Sequence, residues 1–131
     1  MNKPYILCVD DDKTILMSLK AQLKYRLGNA FNYEVAESAE EAWEVINELT
    51  SKDEHVAVII SDWIMPEVKG DEFLITVHAK YPNIIKLILT GHADEEAIIR
   101  AREHANLSGC LVKPWRVDEL IAMIESALES I

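Results

Sequence analysis

The sequence is poor in several things that would each point to a particular class. It has only two cysteines, Cys8 and Cys110. Each sits in an apolar run, Ile6-Leu7-Cys8-Val9 and Cys110-Leu111-Val112, with no second Cys or His at ligand spacing. That setting excludes a disulfide framework and a thiolate metal site, and predicts two buried free thiols. Basic residues are also scarce: 13 Lys and Arg stand against 23 Asp and Glu, a formal net charge of -10. A surface that replaces the counterions of a nucleic acid needs clustered positive charge, so direct nucleic-acid binding is not expected. No apolar run approaches the roughly 20 residues that span a bilayer, so no membrane partner is expected either. No Gly/Ser-rich linker, internal repeat or low-complexity tract breaks the chain. Met1-Asn2-Lys3-Pro4 leads straight into a strand-like segment without a signal-peptide pattern. The expectation is a cytoplasmic protein whose 131 residues form one domain, 1–131.

What is present is a strict alternation of strand and helix. Tyr5 to Val9 is a short apolar run that reads as a buried strand. Lys13 to Leu27 carries Ile15, Leu16, Leu19, Leu23 and Leu27 on one helical face, with Asp12 as the cap and Gly28 as the stop. Tyr33 to Ala36 is a second short strand. Ser38 opens a helix through Leu49 with a capping-box pattern, Ser38-Ala39-Glu40-Glu41. Val56 to Ser61 has the composition of a central parallel strand. Helix from Gly70 to Lys80, strand from Ile84 to Leu89, helix from Asp94 to His104, strand from Gly109 to Val112 and helix from Val117 to Ser130 complete the series. Glu37, Glu40, Glu41, Glu44 and Glu48 fall at helical spacing and read as a solvated face.

Five β-α units predict an α/β fold: a five-stranded parallel sheet, order 2-1-3-4-5, flavodoxin-like, a (βα)5 three-layer sandwich. Sites in such sheets form beyond the carboxyl ends of the strands. Those ends carry Asp10 and Asp11, then Asp62, then Thr90-Gly91, then Lys113-Pro114. Taken singly each is ordinary: a helix cap, a turn, a surface lysine. Their joint position on four neighbouring strands makes one pocket of three carboxylates, a hydroxyl and an ammonium. Crowded carboxylates repel unless neutralised, and a hard divalent cation suits an all-oxygen set. Asp11 and Asp62 are natural direct ligands, Asp10 would hold a coordinated water, and a main-chain carbonyl after Asp62 adds an oxygen. A carboxylate in such a site can act as nucleophile and form an acyl phosphate, with Lys113 and the metal neutralising the transferring group and Thr90 bonding to one of its oxygens.

With Val9-Asp10-Asp11, Ser61-Asp62-Trp63-Ile64-Met65-Pro66 followed by Gly70, Leu89-Thr90-Gly91 and Val112-Lys113-Pro114, the chain resembles the response-regulator receiver family of two-component signalling, over nearly its whole length. The resemblance implies that Asp62 accepts a phosphoryl group from the phosphohistidine of a histidine kinase or phosphotransfer protein. It implies Mg²⁺, or Mn²⁺ in its place, held by Asp11, Asp62, Asp10 through a water, and the backbone carbonyl of Ile64. It implies that Lys113 contacts the phosphoryl group, that Thr90 is the switch hydroxyl, and that the bond to Pro114 is cis. Ile64 and His92 are implied to flank the phosphoryl group and influence its hydrolysis, with an exposed loop histidine an equal reading for His92. Such a chain is no conventional enzyme; it catalyses only its own phosphotransfer and slow dephosphorylation.

The chain departs from the family where a Tyr or Phe usually stands three residues before the lysine. Here that residue is Cys110. Its small side chain puts the usual threonine–aromatic coupling in doubt, and Trp115 is the nearby aromatic that would take over part of the role. Thr90-Gly91-His92-Ala93-Asp94 with Lys113-Pro114-Trp115 is similar to receivers joined to signalling-enzyme outputs. The family also pairs through the face of its fourth helix, fifth strand and fifth helix. There Arg100, Arg102, Glu103, Arg116, Asp118 and Glu119 supply charges for a homodimer or output-domain contact. Three other functions compete. A haloacid-dehalogenase-type phosphatase needs an acid two residues after the nucleophile, where Ile64 stands. A flavin-binding module needs a phosphate loop where Asp10-Asp11-Asp12 would repel the phosphate. A scaffold receiver that is never phosphorylated would not need the full set of site residues.

Overall fold

The computed structural model describes residues 3–65, 67–91 and 95–130. Five strands run in parallel in the order β2-β1-β3-β4-β5. In chain order the elements are β1 (Tyr5–Val9), α1 (Lys13–Leu27), β2 (Asn32–Ala36), α2 (Ala39–Ser51), β3 (Val56–Ser61), α3 (Gly70–Lys80), β4 (Ile85–Thr90), α4 (Glu95–His104), β5 (Gly109–Val112) and α5 (Val117–Glu129). The predicted order and element types hold. Boundaries move by one or two residues: β2 begins at Asn32, α2 runs on to Ser51, and β4 is displaced one residue towards its carboxyl end. A single 3-10 turn over Gly28–Ala30 follows α1. The predicted start of α4 at Asp94 lies outside the described residues.

Side chains alternate across the sheet and build two cores. Leu7, Val9, Ile59 and Ile88 meet Ala42 and Ile46 of α2, Phe73 and Leu74 of α3, and Ala97 and Ala101 of α4. Ile6, Cys8, Val58, Ile60, Leu87 and Leu89 meet Leu16, Leu19 and Leu23 of α1 and Leu120, Ile121 and Ile124 of α5. Strands buried on both faces need apolar residues at every position, which is why they read as unbroken runs.

The helix starts follow local chemistry. Asp12 accepts from the amides of Thr14 and Ile15, so it caps α1 as predicted. Ser38 Oγ accepts from the amide of Glu41. The return bond of the box is displaced by one residue: the Glu41 carboxylate accepts from the amide of Glu37 rather than Ser38. Glu40, Glu41, Glu44 and Glu48 are exposed, as a solvated face requires.

Two residues break the expected pattern. Cys8 is buried, and burial pushes its thiol up to about 12. Cys110 is only half-buried on the β5 edge strand, which corrects the expectation of two buried thiols. Lys86 sits inside β4 with only 1% of its surface exposed. It lies on the same face of the sheet as Ile88, under the α2–α4 layer. Its ammonium donates to the carbonyl of Ile84, and burial lowers its pKa to about 8.

Candidate functional site

Backbone bonds just past the strand ends set the site. The amide of Asp62 donates to the carbonyl of Val9 at 2.8 Å, tying the end of β3 to the end of β1. The amide of Asp10 donates to Ala36, and that of Lys113 to Thr90. Each bond extends the parallel ladder by one residue and fixes where the following side chain leaves the sheet. Asp10, Asp11, Asp62, Thr90 and Lys113 therefore share one edge, as predicted.

The three carboxylates come together closely. One oxygen from each of Asp10, Asp11 and Asp62 lies within 4.8 Å of the others. Asp10 and Asp62 are buried and Asp11 is exposed. The donor set is all oxygen and all carboxylate, partly open to solvent, which fits a hard cation that keeps several of its waters. Lys113 Nζ bonds to Asp10 Oδ2 at 2.7 Å and lies 3.5 Å from Asp62 Oδ1. The Trp63 amide donates to Asp62 Oδ1 at 2.9 Å. Burial, and then repulsion from Asp10, push the Asp62 carboxyl above its ordinary pKa; Lys113 and the Trp63 amide oppose that shift. Thr90 is buried at the end of β4. The Lys113–Pro114 peptide is cis.

The loop carrying Asp62 turns back sharply. Glu67 takes a left-handed conformation, φ 68°, and the amide of Gly70 donates to the Trp63 carbonyl at 2.7 Å. The Gly70 backbone presses on the loop so closely that a Cβ there would lie 2.0 Å from the carbonyl oxygen of Asp62. Only glycine allows this approach. Ile64 projects outward beside Asp62, 54% exposed. His92 and Pro66 lie outside the described residues.

The aromatic question has a definite geometry. Cys110 pairs with Ile88 and packs against the α2–α4 side. Trp115 packs on the opposite face with α1 and α5, and its indole donates to Gln22 at 2.8 Å. It stands across the sheet from Cys110, so the expectation that it takes over the aromatic role is not met. Of the charges expected on the α4-β5-α5 face, Asp118 is bonded to Arg26 of α1 at 2.7 Å and Arg100 to Asp71 of α3 at 3.0 Å. Arg116 pairs with Glu119 at 4.0 Å.

Sequence reasoning missed Asp71. It is fully buried, accepts from the Trp63 indole at 3.0 Å, and binds Arg100 through Oδ2. An acidic residue in the first turn of a helix is commonplace, and nothing in its local sequence marks it as buried. Arg100 comes from 29 residues further along the chain, so only the packing of α4 on α3 brings the pair together.

Comparison with known proteins agrees with this geometry. The family described as "Response regulator receiver domain" matches residues 6–125. This chain belongs to the response-regulator receiver family. It is 34% identical over 125 residues to a chemotaxis protein CheY homolog of Campylobacter jejuni, covering 94% of this chain and 91% of that protein. It is 30% identical to the hydrogenase transcriptional regulatory protein HoxA of Cupriavidus necator, covering 95% of this chain but only 24% of that protein. Among solved structures, the signal receiver domain of an HD domain-containing protein from Pseudomonas fluorescens superposes with a TM-score of 0.85 at 29% identity, covering 98% of this chain and 97% of that one. The matched region thus spans nearly all of one relative and about a quarter of another. No helix among the described residues is long and apolar enough to cross a membrane.

Proposed function

We propose that this receiver is a phosphorylation switch in which Asp62 takes a phosphoryl group from the phosphohistidine of a histidine kinase or phosphotransfer protein. The observation that carries the reading is the position of Lys113, shared between Asp10 and Asp62 beside three carboxylates within 4.8 Å of one another. In the transfer an Asp62 oxygen attacks phosphorus. The P–O bond forms as the P–N bond of the phosphohistidine breaks, and the imidazole leaves neutral after taking up a proton. Lys113 swings from Asp10 toward the incoming phosphoryl oxygens, and the Thr90 hydroxyl donates to one of them. The Trp63 amide holds the other carboxylate oxygen in place. Catalysis here is positioning and charge neutralisation rather than acid–base chemistry. Asp11 and Asp62, with Asp10 through a water and the Ile64 carbonyl, would hold Mg²⁺, or Mn²⁺; the ion supplies the positive charge that lets carboxylates and phosphate meet.

The switched face would act on an output domain, a separate partner or a second copy of the chain. The exposed Ile99 of α4 and Val112 of β5 offer apolar contact area there. Arg102 and Glu103 are exposed charges on α4.

The test is direct. The protein is treated with Mg²⁺ and acetyl phosphate, and its intact mass is followed. One phosphoryl group should be gained by the wild type and none by Asp62→Asn. A gain that persists in Asp62→Asn would overturn the site. Turnover of small phosphate esters would favour a phosphatase instead.

A further inference from the structure

Asp71 is a buried carboxylate that the phosphoryl chemistry does not use. It receives three hydrogen bonds: from Trp63 Nε1 to Oδ1 at 3.0 Å, and from Arg100 Nε and Nη2 to Oδ2 at 3.2 and 3.0 Å. Trp63 is also the residue whose amide holds Asp62 Oδ1 at 2.9 Å. Arg100 lies in the middle of α4. A connection therefore runs from the Asp62 carboxylate to the Trp63 amide, through the covalent frame of that residue to its indole N–H, and on through Asp71 to α4.

The path is stiff for a physical reason. A fully buried carboxylate must keep its partners, because losing one leaves charge uncompensated in a medium of low polarity. The Trp63 ring is itself buried, so the indole can move only if its surroundings repack. Asp71, Trp63 and Arg100 must then shift together. The family's aromatic position holds only the half-buried thiol of Cys110, and Trp115 is on the wrong face. The polar bridge is a physical connection between the acceptor loop and α4 that does not need that aromatic.

We propose that Asp71 is a positioning residue that couples Asp62 to helix α4 through Trp63 and Arg100, so that phosphorylation moves α4 and α4 in turn tunes Asp62. This rests on the reading of Asp62 as phosphoacceptor. Coupling is reciprocal, so it can be measured from the α4 end.

The experiment is a double-mutant cycle. Beryllofluoride, a phosphoryl mimic, is titrated with Mg²⁺ by calorimetry into wild type, Arg100→Gln, Trp63→Phe and the double variant. The Arg100 side chain is half-exposed, so Arg100→Gln should fold; Trp63→Phe removes the indole N–H and keeps an aromatic ring. Arg100→Gln should weaken binding about fivefold or more, the lower end of ordinary coupling. In the Trp63→Phe background the same change should weaken it by less than about twofold. Any Arg100 effect that bypasses Trp63 would survive in that background. Hydrogen exchange supplies a second readout: beryllofluoride should alter α4 protection in wild type, and the alteration should be absent in Asp71→Asn. An unchanged affinity in Arg100→Gln, or an equal factor in both backgrounds, overturns the coupling. A wild type that binds no beryllofluoride is a separate result, which overturns the phosphoacceptor reading and this inference with it.

Discussion

Lys113 sits closer to Asp10 than to Asp62: its ammonium bonds to the first at 2.7 Å and pairs more loosely with the second at 3.5 Å. The lysine neutralises Asp10 more than Asp62, the proposed acceptor. It is therefore in reach of an incoming phosphoryl group without blocking the acceptor. Lys113→Met should separate two properties. Acceptance of a phosphoryl group from acetyl phosphate should slow by about 10²–10³-fold, the usual loss when a group that stabilises developing charge is removed. Mg²⁺ affinity should rise instead, because a competing cation has left the three carboxylates. A variant that loses both, measured by intact mass and by metal titration, would give Lys113 a merely structural role.

Asp62 is stabilised by its partners less than it is destabilised by burial and by Asp10, since its pKa lies above the ordinary value. A carboxyl whose folded pKa is raised costs stability once pH exceeds its unfolded value, and that cost vanishes in acid. Asp62→Asn should therefore be more stable than wild type at pH 7 without metal, by on the order of 1 kcal/mol, as for other strained functional residues. The gap should shrink as pH falls through the carboxylate range. Mg²⁺ should close it from the other side. At a hundred times its Kd it stabilises the wild type by about 2.7 kcal/mol. Asp62→Asn should gain less, and a chelator should undo the effect. Urea denaturation with and without Mg²⁺ measures all of this; a less stable Asp62→Asn would contradict it.

How much of this was legible in the sequence depends on chain distance. The strands were readable because Val56–Ser61 and its neighbours are buried on both faces and so admit few polar residues. The site was readable because its parts fall at strand ends, where topology alone brings Asp10, Asp62 and Lys113 together. The alternation gave no warning of Lys86, a charge inside an otherwise apolar strand whose burial depends on the helices packed over it. Nor could it show that Trp115 turns toward Gln22 across the sheet from Cys110. That orientation is decided by packing against α1 and α5, not by spacing. The Trp63–Asp71–Arg100 bridge was hidden for the same reason: its members are local to three different segments.

Gly70 is held against the Asp62 carbonyl so tightly that any side chain must displace backbone. Gly70→Ala should cost about 1–3 kcal/mol or more, as overpacking does. It should also move the acceptor rather than only loosen the fold, since the displaced atoms belong to Asp62 and Trp63. Phosphorylation should then slow even in the fraction that remains folded. An Ala variant with wild-type stability and rate would mean that the loop relaxes freely.

Ile64 stands exposed beside the acceptor and offers no polar atom at its tip. On the proposed reading, its apolar side chain would keep attacking water from being oriented near the acyl phosphate. Ile64→Asn introduces a donor and an acceptor there and should shorten the lifetime of the phosphorylated protein. Loss of the phosphoryl mass with time, after the donor is removed, measures it. An unchanged half-life would remove Ile64 from the site.

Lys86 carries a pH signature of its own. It is buried in β4 with the Ile84 carbonyl as its hydrogen-bond acceptor, and its pKa is lowered from 10.5 to about 8. Below pH 8 both folded and unfolded chains hold the proton, and the folded chain bears the cost of a buried ammonium. Between pH 8 and 10.5 the unfolded chain keeps a proton that the folded chain has released, so this residue's contribution to stability rises with pH. The full shift corresponds to about 3 kcal/mol. Methionine fills a similar volume without the charge but gives up the bond to Ile84, worth about 1 kcal/mol. Lys86→Met should thus be about 2 kcal/mol more stable than wild type at pH 7. Its advantage should fall away as pH rises from 8 toward 10.5, whatever other groups titrate, because those are common to both proteins. Urea midpoints of the two proteins at pH 7 and pH 10 decide it: a difference that does not change with pH would mean that Lys86 stays charged in the fold and reaches water through motions of the α3–α4 layer.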